Sequence, residues 1–254
     1  HNLILQDSDG NFIGDTHSAN GSDGNRRQET QALAFFLNDK ISKGAWSLTP
    51  GIRYETLDYA YTDFTTDGTN VPSTSGSSTL DIVAPGFGIT FEKSENLIFF
   101  GNYHHGFSVP SPRNHTRNGK VEETSNAFEL GMRFNSGKGI HGEIVFFHTK
   151  FDDLLVIDNI GGAGTGESEN VGNVNSSGIE VLIGFDPGIT HGWGFRNPYS
   201  IAFTYTDATL NGDANSSDAE SIFAGGRDGS EVPYIPDFLI SFTAGLETNK
   251  FRAY

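Results

Sequence analysis

The chain has 254 residues, of which 32 are acidic and 16 are basic, so its formal charge is −16 at pH 7. Nucleic acid is excluded as a partner, because neutralising phosphates needs clustered lysine and arginine and the sequence has no basic stripe. No apolar run approaches the roughly 18 residues that a membrane-spanning helix needs, and the absence of cysteine excludes disulfides and thiolate zinc sites.

The N-terminal segment is rich in short polar side chains. His1 is the first residue and no charged and apolar leader follows it, so we expect a fragment or a processed product. Oxygen-bearing side chains then alternate from Asp7 through Asp9 and recur at Asp15, a pattern found in calcium loops. Its spacing is one residue short of an EF-hand, and turn-rich loops contain such residues by default. A calcium site and a plain polar loop therefore both stay open.

Apolar and polar residues alternate with period two along most of the chain, which predicts β-strands. Ten strands are predicted, near 30–41, 46–58, 79–91, 96–107, 126–134, 140–151, 178–185, 195–206, 237–246 and from 251 onward. Most are longer than the roughly five or six residues of a typical soluble strand and match the length of a tilted membrane-crossing strand. In the third strand, Ala84-Pro85-Gly86 predicts a bulge, because proline cannot donate to the ladder.

The clearest strand, 46–58, has one apolar and one polar face. The apolar set is Trp46, Leu48, Ile52 and Tyr54, and the polar set is Ser47, Thr49, Gly51, Arg53 and Glu55. A soluble sandwich would solvate its polar face, whereas a membrane barrel would turn the apolar set toward lipid and the polar set toward its interior. We predict the second arrangement.

Connections between the predicted strands alternate in length. The short ones are 42–45, 92–95, 135–139, 186–194 and 247–250, and the long ones are 60–78, 108–125, 152–177 and 207–236. Structureless loops of the second size are uncommon in compact domains. Short turns at one rim and long loops at the other are typical of bacterial outer-membrane barrels.

Aromatic residues gather near the predicted strand ends. Trp46, Phe91, Trp193 and Phe195 lie by short turns, and Tyr54, Tyr59, Tyr61, Tyr103 and Phe107 lie toward long loops. Girdles at the two membrane interfaces would give this pattern. Ordinary enrichment of aromatic residues in strands is the alternative for any single position.

Five segments resemble TonB-dependent receptors, in the order of that family. They are LTPGIRYE at 48–55, FFGNYHHGFSVPSP at 99–112, EETSNAFELGMR at 122–133, NVGNVNSSGIE at 170–180 and VPYIPD at 232–237. Each is a weak turn-and-strand pattern alone, but five in order at compatible spacing are a strong signal, and the resemblance extends roughly from Arg27 to Tyr254. The ferric-citrate or siderophore receptor branch is the most similar subgroup.

This resemblance implies an all-β fold, an antiparallel up-and-down transmembrane β-barrel, of which residues 1–254 form part of one domain. About ten strands would be present out of about 22 around a plugged lumen, with the plug, the energy-coupling box and the final strands absent. The implied function is capture of a metal chelate and its import across the outer membrane of a Gram-negative bacterium. The implied partners are the ferric chelate, the lipid bilayer and, through the plug, the TonB complex.

Two other classes stay open beside this reading. A surface or secreted β-sandwich, such as an adhesin or carbohydrate binder, would have short strands and a second apolar face. An outer-membrane hydrolase would need a serine and histidine together on one outward strand face near the rim, and His148 has no evident serine partner in the sequence. No catalytic motif, resident cofactor or metal-binding motif is recognised.

Candidate ligand contacts lie in the 108–125 connection, which is basic within an acidic chain. Its cationic residues are Arg113, His115, Arg117 and Lys120. Guanidinium groups suit the carboxylates and hydroxamates of ferric chelates, although a solvated loop would carry such charges too. His104 is a further candidate, but neighbours in a strand point to opposite faces, so His104 and His105 cannot hold one metal ion together.

Overall fold

The computed structural model describes residues 4–6, 12–15, 25–67, 69–157, 168–214 and 221–254. Within these ranges the strands are β1 (Ile4–Gln6), β2 (Phe12–Asp15), β3 (Arg26–Asn38), β4 (Ile41–Lys43), β5 (Trp46–Phe64), β6 (Pro72–Ser94), β7 (Leu97–Ser108), β8 (Glu123–Asn135), β9 (Ile140–Asp152), β10 (Leu155–Ile157), β11 (Ser168–Asn170), β12 (Asn173–Phe185), β13 (Tyr199–Asn211), β14 (Phe238–Ala244), β15 (Leu246–Glu247) and β16 (Arg252–Ala253). Two short helices, α1 (Pro112–Thr116) and α2 (Pro187–Thr190), lie in connections. Neither of these helices is long and apolar enough to cross a membrane.

Ten strands form one sheet, in the order β14-β13-β12-β9-β8-β7-β6-β5-β3 with β4 paired to β5. Sheet neighbours follow one another along the chain, apart from the separate β10–β11 hairpin between β9 and β12. Eight of the ten strands are long, with 12 residues in β7 and 23 in β6, whereas β4 has 3 residues and β14 has 7. The predicted antiparallel, next-neighbour arrangement is confirmed for this sheet, and the alternative of a short-stranded sandwich is wrong. The strand predicted from 251 onward is not part of it, since β16 pairs with β15 in a separate two-stranded sheet.

Several strands extend beyond their predicted ends, and the largest extensions run toward the long connections. Strand β5 continues to Phe64, β6 begins at Pro72 and β12 begins at Asn173. Along β5 the large apolar side chains pass there from the face of Trp46 to the face of Tyr59, so the pattern that identified the strand is interrupted while the strand continues. The long connections are therefore shorter than the sequence predicted.

The predicted bulge at Ala84-Pro85-Gly86 is not where the β6–β7 ladder is irregular. Strand β6 is continuous through these residues, and its register with β7 runs from Gly86, opposite His104, to Glu92. The register shift lies between Glu92 and Ser94, beside the short turn. Pro85 lies just before the first paired position, so its missing N–H removes no bond from the part of the ladder that pairs with β7.

The chain divides into two compact units. Unit 1 comprises 1–34, 55–82 and 110–120, and unit 2 comprises 35–54, 83–109 and 121–254. Unit 2 contains most of the sheet, and unit 1 contains α1.

One face of the sheet in unit 2, here called the apolar face, is covered by large hydrophobic side chains. The rings of Trp46 and Phe91 lie 4.5 Å apart between centroids, and those of Phe91 and Phe99 lie 6.5 Å apart. Leu130 and Phe146 are direct cross-strand neighbours on the same face and are exposed. An exposed apolar surface of this extent is what a lipid-facing barrel wall requires.

The other face of unit 2, here called the polar face, carries hydrogen-bonded and charged side chains. Asn102 Nδ2 donates to Glu129 Oε2 at 2.8 Å. Arg133 pairs with Glu143 through Nε and stands over the ring of Phe100, 5.7 Å from its centroid. Strand alternation puts Ser47, Thr49, Arg53 and Glu55 on the side opposite Trp46, as predicted. That the polar face lines the barrel interior stays a prediction.

Unit 1 has its own small core on one face of β5 and β6. Leu57, Tyr59 and Tyr61 alternate with more exposed neighbours along β5, and Leu80 and Ile82 are buried on β6. Tyr59 and Tyr61 are only 3% and 6% exposed. Their assignment to an interfacial girdle is therefore wrong, because they share the face of Arg53 rather than that of Trp46.

A second small core, here called the loop-base core, lies in unit 2. It consists of Val171, Val174, Leu210 and Phe223, with Phe151, Leu154, Val156, Ala214 and Val232 packed around it. Backbone bonds join the same segments, since Leu154 N–H donates to Gly172 and Val232 N–H donates to Ala208. The connections after β9 and after β13 therefore share one hydrophobic base.

Asp186 organises the turn between β12 and β13. Its buried carboxylate accepts hydrogen bonds from the backbone N–H of Ile189 at 3.3 Å and of Asn197 at 3.0 Å, and from Arg196 Nε at 2.8 Å. Burial opposes ionisation, but the Asn197, Arg196 and Ile189 hydrogen bonds outweigh it and lower the pKa of Asp186 below its ordinary value of 3.8. The charged form is therefore the one that the folded turn stabilises.

Replacing Asp186 by asparagine is expected to reduce stability near neutral pH by about 1 kcal/mol, because charge-assisted hydrogen bonds become neutral ones. A lowered folded pKa means that the contribution is complete above the ordinary value of 3.8. It disappears as pH falls through the folded pKa. Thermal unfolding midpoints of the two proteins, measured from neutral to acidic pH, should therefore converge in acid. A gap that stays constant over this range would contradict the assignment.

Candidate functional site

The connection between β7 and β8 contains the helix α1 rather than an open loop. Ser111 caps the helix by accepting the N–H of Asn114 at 3.4 Å, and Pro112 occupies the first turn. Arg117 closes it by donating its N–H to the carbonyl of Arg113 at 2.8 Å. A serine followed by proline is a recognised helix start, so the sequence contained this signal and it was missed.

Contacts within unit 1 fasten α1 to three strands. Ser78 Oγ of β6 lies 2.6 Å from Thr116 Oγ1, and Gln28 of β3 accepts the N–H of Arg113 at 2.9 Å. Gly76 leaves room for both Thr116 and the Tyr61 ring, since a Cβ there would lie 2.8 Å from the ring and 3.0 Å from the Thr116 methyl. The helix therefore presents its side chains from a fixed position.

Two of the predicted ligand contacts converge on one carboxylate. Arg113 Nε lies 3.1 Å from both oxygens of Asp63, and Arg117 Nη1 lies 2.5 Å from Oδ2. The side chains of Arg113 and Asp63 are 17% and 14% exposed, whereas that of Arg117 is 43% exposed. This arginine cluster, formed by Asp63, Arg113 and Arg117, has two positive charges and one negative charge. These three side chains together carry a charge of +1, and Arg117 is the most exposed of them.

The other two residues of the predicted basic group are placed differently. His115 packs against Tyr59 edge to face, with ring centroids 5.6 Å apart, and its Nδ1 lies 2.9 Å from the carbonyl oxygen of Lys120. Lys120 N–H donates to the carbonyl of Asn114 at 3.0 Å. These contacts tie the segment after α1 back onto the helix. A ligand role for His115 and Lys120 stays a prediction.

His104 belongs to unit 2, whereas the residues of the arginine cluster belong to unit 1. Its exposed side chain lies on the polar face, in register with Gly86 and Ala127. His105 points to the apolar face, where Nδ1 lies 3.2 Å from Asn126 Oδ1. The two imidazoles therefore diverge as predicted, and a ligand role for His104 stays a prediction.

No group of three or more histidine, aspartate or glutamate side chains in the described ranges is arranged to hold a metal ion. The calcium hypothesis concerns Asp7, Asp9 and Asp15, and the side chains of these residues lie outside the described part of the chain.

Sequence reasoning missed Asp63, the residue that organises the cluster. It is 50 residues from Arg113 and 54 from Arg117 along the chain. The available signal was its position in β5, two residues beyond Tyr61 and on the same face. That signal became usable only once β5 was known to continue past Asp58.

His148 has a serine partner, contrary to the sequence expectation. Its Nδ1 lies 2.8 Å from Ser177 Oγ, and the two residues are opposite each other in β9 and β12. Asp207 is opposite Ser177 on its other side, in β13. In a Ser-His-Asp hydrolase the carboxylate orients the histidine, whereas here the acid neighbours the serine. The arrangement of His148, Ser177 and Asp207 across the three strands supports a hydrogen bond between strands rather than a nucleophile.

The profile of a family described as TonB dependent receptor-like, beta-barrel matches residues 4–253. Among solved structures, the ferric citrate transporter FecA in its unliganded form is 18% identical with a TM-score of 0.64, over 95% of this chain and 32% of that one. The ferric yersiniabactin uptake receptor FyuA from Yersinia pestis is 14% identical with a TM-score of 0.64, over 87% and 32%. The ferric-catecholate import receptor Fiu from E. coli K12 is 15% identical with a TM-score of 0.62, over 87% and 32%.

At these identities the likeness to solved structures establishes the fold, and the chain spans about a third of the length of each. The family match extends over nearly all of the sequence and agrees with the long, antiparallel, sequentially paired strands. The chain belongs to the TonB-dependent receptor family and forms part of its β-barrel.

Proposed function

We propose that the protein is an outer-membrane receptor that captures an anionic metal chelate, such as a ferric siderophore or ferric citrate, and imports it with energy supplied through TonB. Residues 1–254 are then part of one barrel domain in the outer membrane of a Gram-negative bacterium, with the lipid bilayer against its apolar face. Family membership supports the transport class, and the similar solved structures are themselves described as transporters or receptors of ferric chelates.

The arginine cluster is the observation that carries the choice of an anionic ligand. In a chain of charge −16, two guanidinium groups of the segment between β7 and β8 both contact the Asp63 carboxylate. Local reversal of charge attracts anions and speeds their capture. Arginine also binds carboxylates with defined geometry, which makes Arg117 the leading contact and Arg113 its buried support.

Replacing Arg117 by glutamine in the full-length receptor is expected to weaken binding of an anionic ferric chelate about tenfold, the size of one charge-assisted contact. Reversing both Arg113 and Arg117 to glutamate should weaken it further. Equilibrium binding of ferric citrate, a ferric trihydroxamate and a ferric triscatecholate to purified receptor measures the effect.

Lys138→Gln provides the matched control, because it also removes one positive charge but lies exposed in a short turn. It should leave the affinity unchanged. If Arg117→Gln behaves like Lys138→Gln for every chelate that binds, the cluster is solvated surface and the ligand-contact proposal fails.

A further inference from the structure

We infer that Asp63 is a specificity-determining residue that competes with the ligand for Arg117, so that only anions of high charge density are captured. The inference rests on the proposed function of the arginine cluster and concerns how that cluster distinguishes one anionic ligand from another. Its basis is the placement of a carboxylate of the protein where a carboxylate of the ligand would bind.

The Asp63 carboxylate is held in place by the fold and not only by the arginines. Asp63 lies in β5 on the face that buries Tyr59 and Tyr61, so strand geometry directs its side chain toward the same side. Its carbonyl accepts a hydrogen bond from Ser73 Oγ at 3.1 Å, which fixes the backbone at this point. The carboxylate therefore stays beneath α1 whether or not both arginines contact it.

The two arginines differ in how readily they can exchange partners. Arg113 is fixed inside α1 by its N–H bond to Gln28 and by its carbonyl, which accepts the Arg117 N–H. Its side chain is largely buried and contacts both oxygens of Asp63. Arg117 follows the last helical residue, is more exposed and contacts only Oδ2. Arg117 is thus the arginine that can turn from Asp63 to a ligand.

Charge then decides which ligands succeed. A partly exposed ion pair is weak, so a multiply charged chelate that also contacts other groups can draw Arg117 away from Asp63. A small monoanion offers the same contact as Asp63 but without the advantage of belonging to the fold. Specificity of this kind comes from an element that opposes the wrong ligand, and Asp63 is that element.

The test uses the full-length receptor and the variants Asp63→Asn, Asp63→Glu and Asp63→Asn with Arg117→Gln. Asp63→Asn should raise the affinity for the best-binding of the three ferric chelates about three- to tenfold. It should also lower the acetate concentration that inhibits binding, because acetate can now occupy the site. Asp63→Glu retains the competing negative charge, so it should not show the gain in affinity of Asp63→Asn. In the double variant the gain should vanish, because Arg117 is its target.

Salt dependence gives a second measurement that a merely structural role would not change. Asp63→Asn raises the local charge, so its binding should weaken more steeply with added salt than that of the wild type. Asp63→Ser, a shorter neutral replacement, takes the place of Asp63→Asn if that variant assembles poorly.

The outcomes distinguish a failure of the inference about Asp63 from a failure of the proposed function. If Arg117→Gln weakens binding while Asp63→Asn leaves it unchanged or weakens it, Asp63 positions Arg117 and the inference of competition is overturned while the proposed function stands. If Arg117→Gln has no effect, or if none of the three chelates binds the wild type, the proposed function fails and the inference fails with it.

Discussion

Replacing Gly178 by alanine is expected to block assembly of the barrel or reduce its stability by about 3 kcal/mol, the upper range for overpacking. A Cβ at this position would lie 2.1 Å from the carbonyl oxygen of Tyr205 and 2.5 Å from the Phe147 ring. The ring could rotate, but the carbonyl belongs to the β12–β13 ladder. Gly178 and its neighbours Ser177 and Ile179 are all paired with β13 in this ladder. Relief therefore requires loss of strand pairing.

Gly88→Ala is the matched control for this change. Gly88 also lies in a long strand on the polar face, but a Cβ there would meet no atom within 4 Å. Adding a methyl group in open space restricts the unfolded chain and should leave stability equal or slightly higher. Two measurements apply to both variants. The assembled fraction in membranes is read from the heat-dependent shift of the folded band in gel electrophoresis, and stability is read from urea unfolding in lipid vesicles. Equal behaviour of the two alanine variants would show that the steric argument is wrong.

A second large effect is expected for Leu130→Arg, because Leu130 lies on the apolar face with 65% of its surface exposed. Its cross-strand neighbours are Gly101 and Phe146. An arginine on the lipid face near the middle of a bilayer costs about 2–4 kcal/mol. Unfolding of the full-length receptor from lipid vesicles should show this loss.

Thr149→Arg introduces the same side chain on the polar face, since Thr149 is opposite Ala127 in β8 and Ser176 in β12. It should be tolerated, with a change well below that of Leu130→Arg. If both arginine variants lose the same stability, the assignment of the apolar face to lipid must be abandoned.

The architecture could be predicted from the sequence because barrel strands obey a local rule. Alternation along β5, from Trp46 to Tyr54, and the short turns at Gly44 and Glu95 specify which strands pair. The rule holds only where one face meets an apolar environment. Tyr59 and Tyr61 lie beyond the part of β5 where this rule holds. Their aromatic rings are buried on the face opposite Trp46.

Only part of the candidate site, its two arginines, could be predicted from the sequence, for a related reason. The excess of basic residues at Arg113 and Arg117 is visible in a short window of sequence. Their shared partner Asp63 is not, because it comes from a distant strand whose end was placed too early. Contacts between connections and strand ends depend on three-dimensional placement, and residue periodicity carries no information about them.

The loop-base core of Val171, Val174, Leu210 and Phe223 changes how the surface of such a receptor can evolve. Because two successive connections share one hydrophobic base, we expect the contacts of that base to be lost together when either connection unfolds. Loop tips generally tolerate insertions. The residues that the two connections contribute to the shared base cannot change independently, because they pack against one another. Recombination that transfers one connection between receptors would leave half of an apolar cluster uncovered, so the natural module of exchange here is the pair.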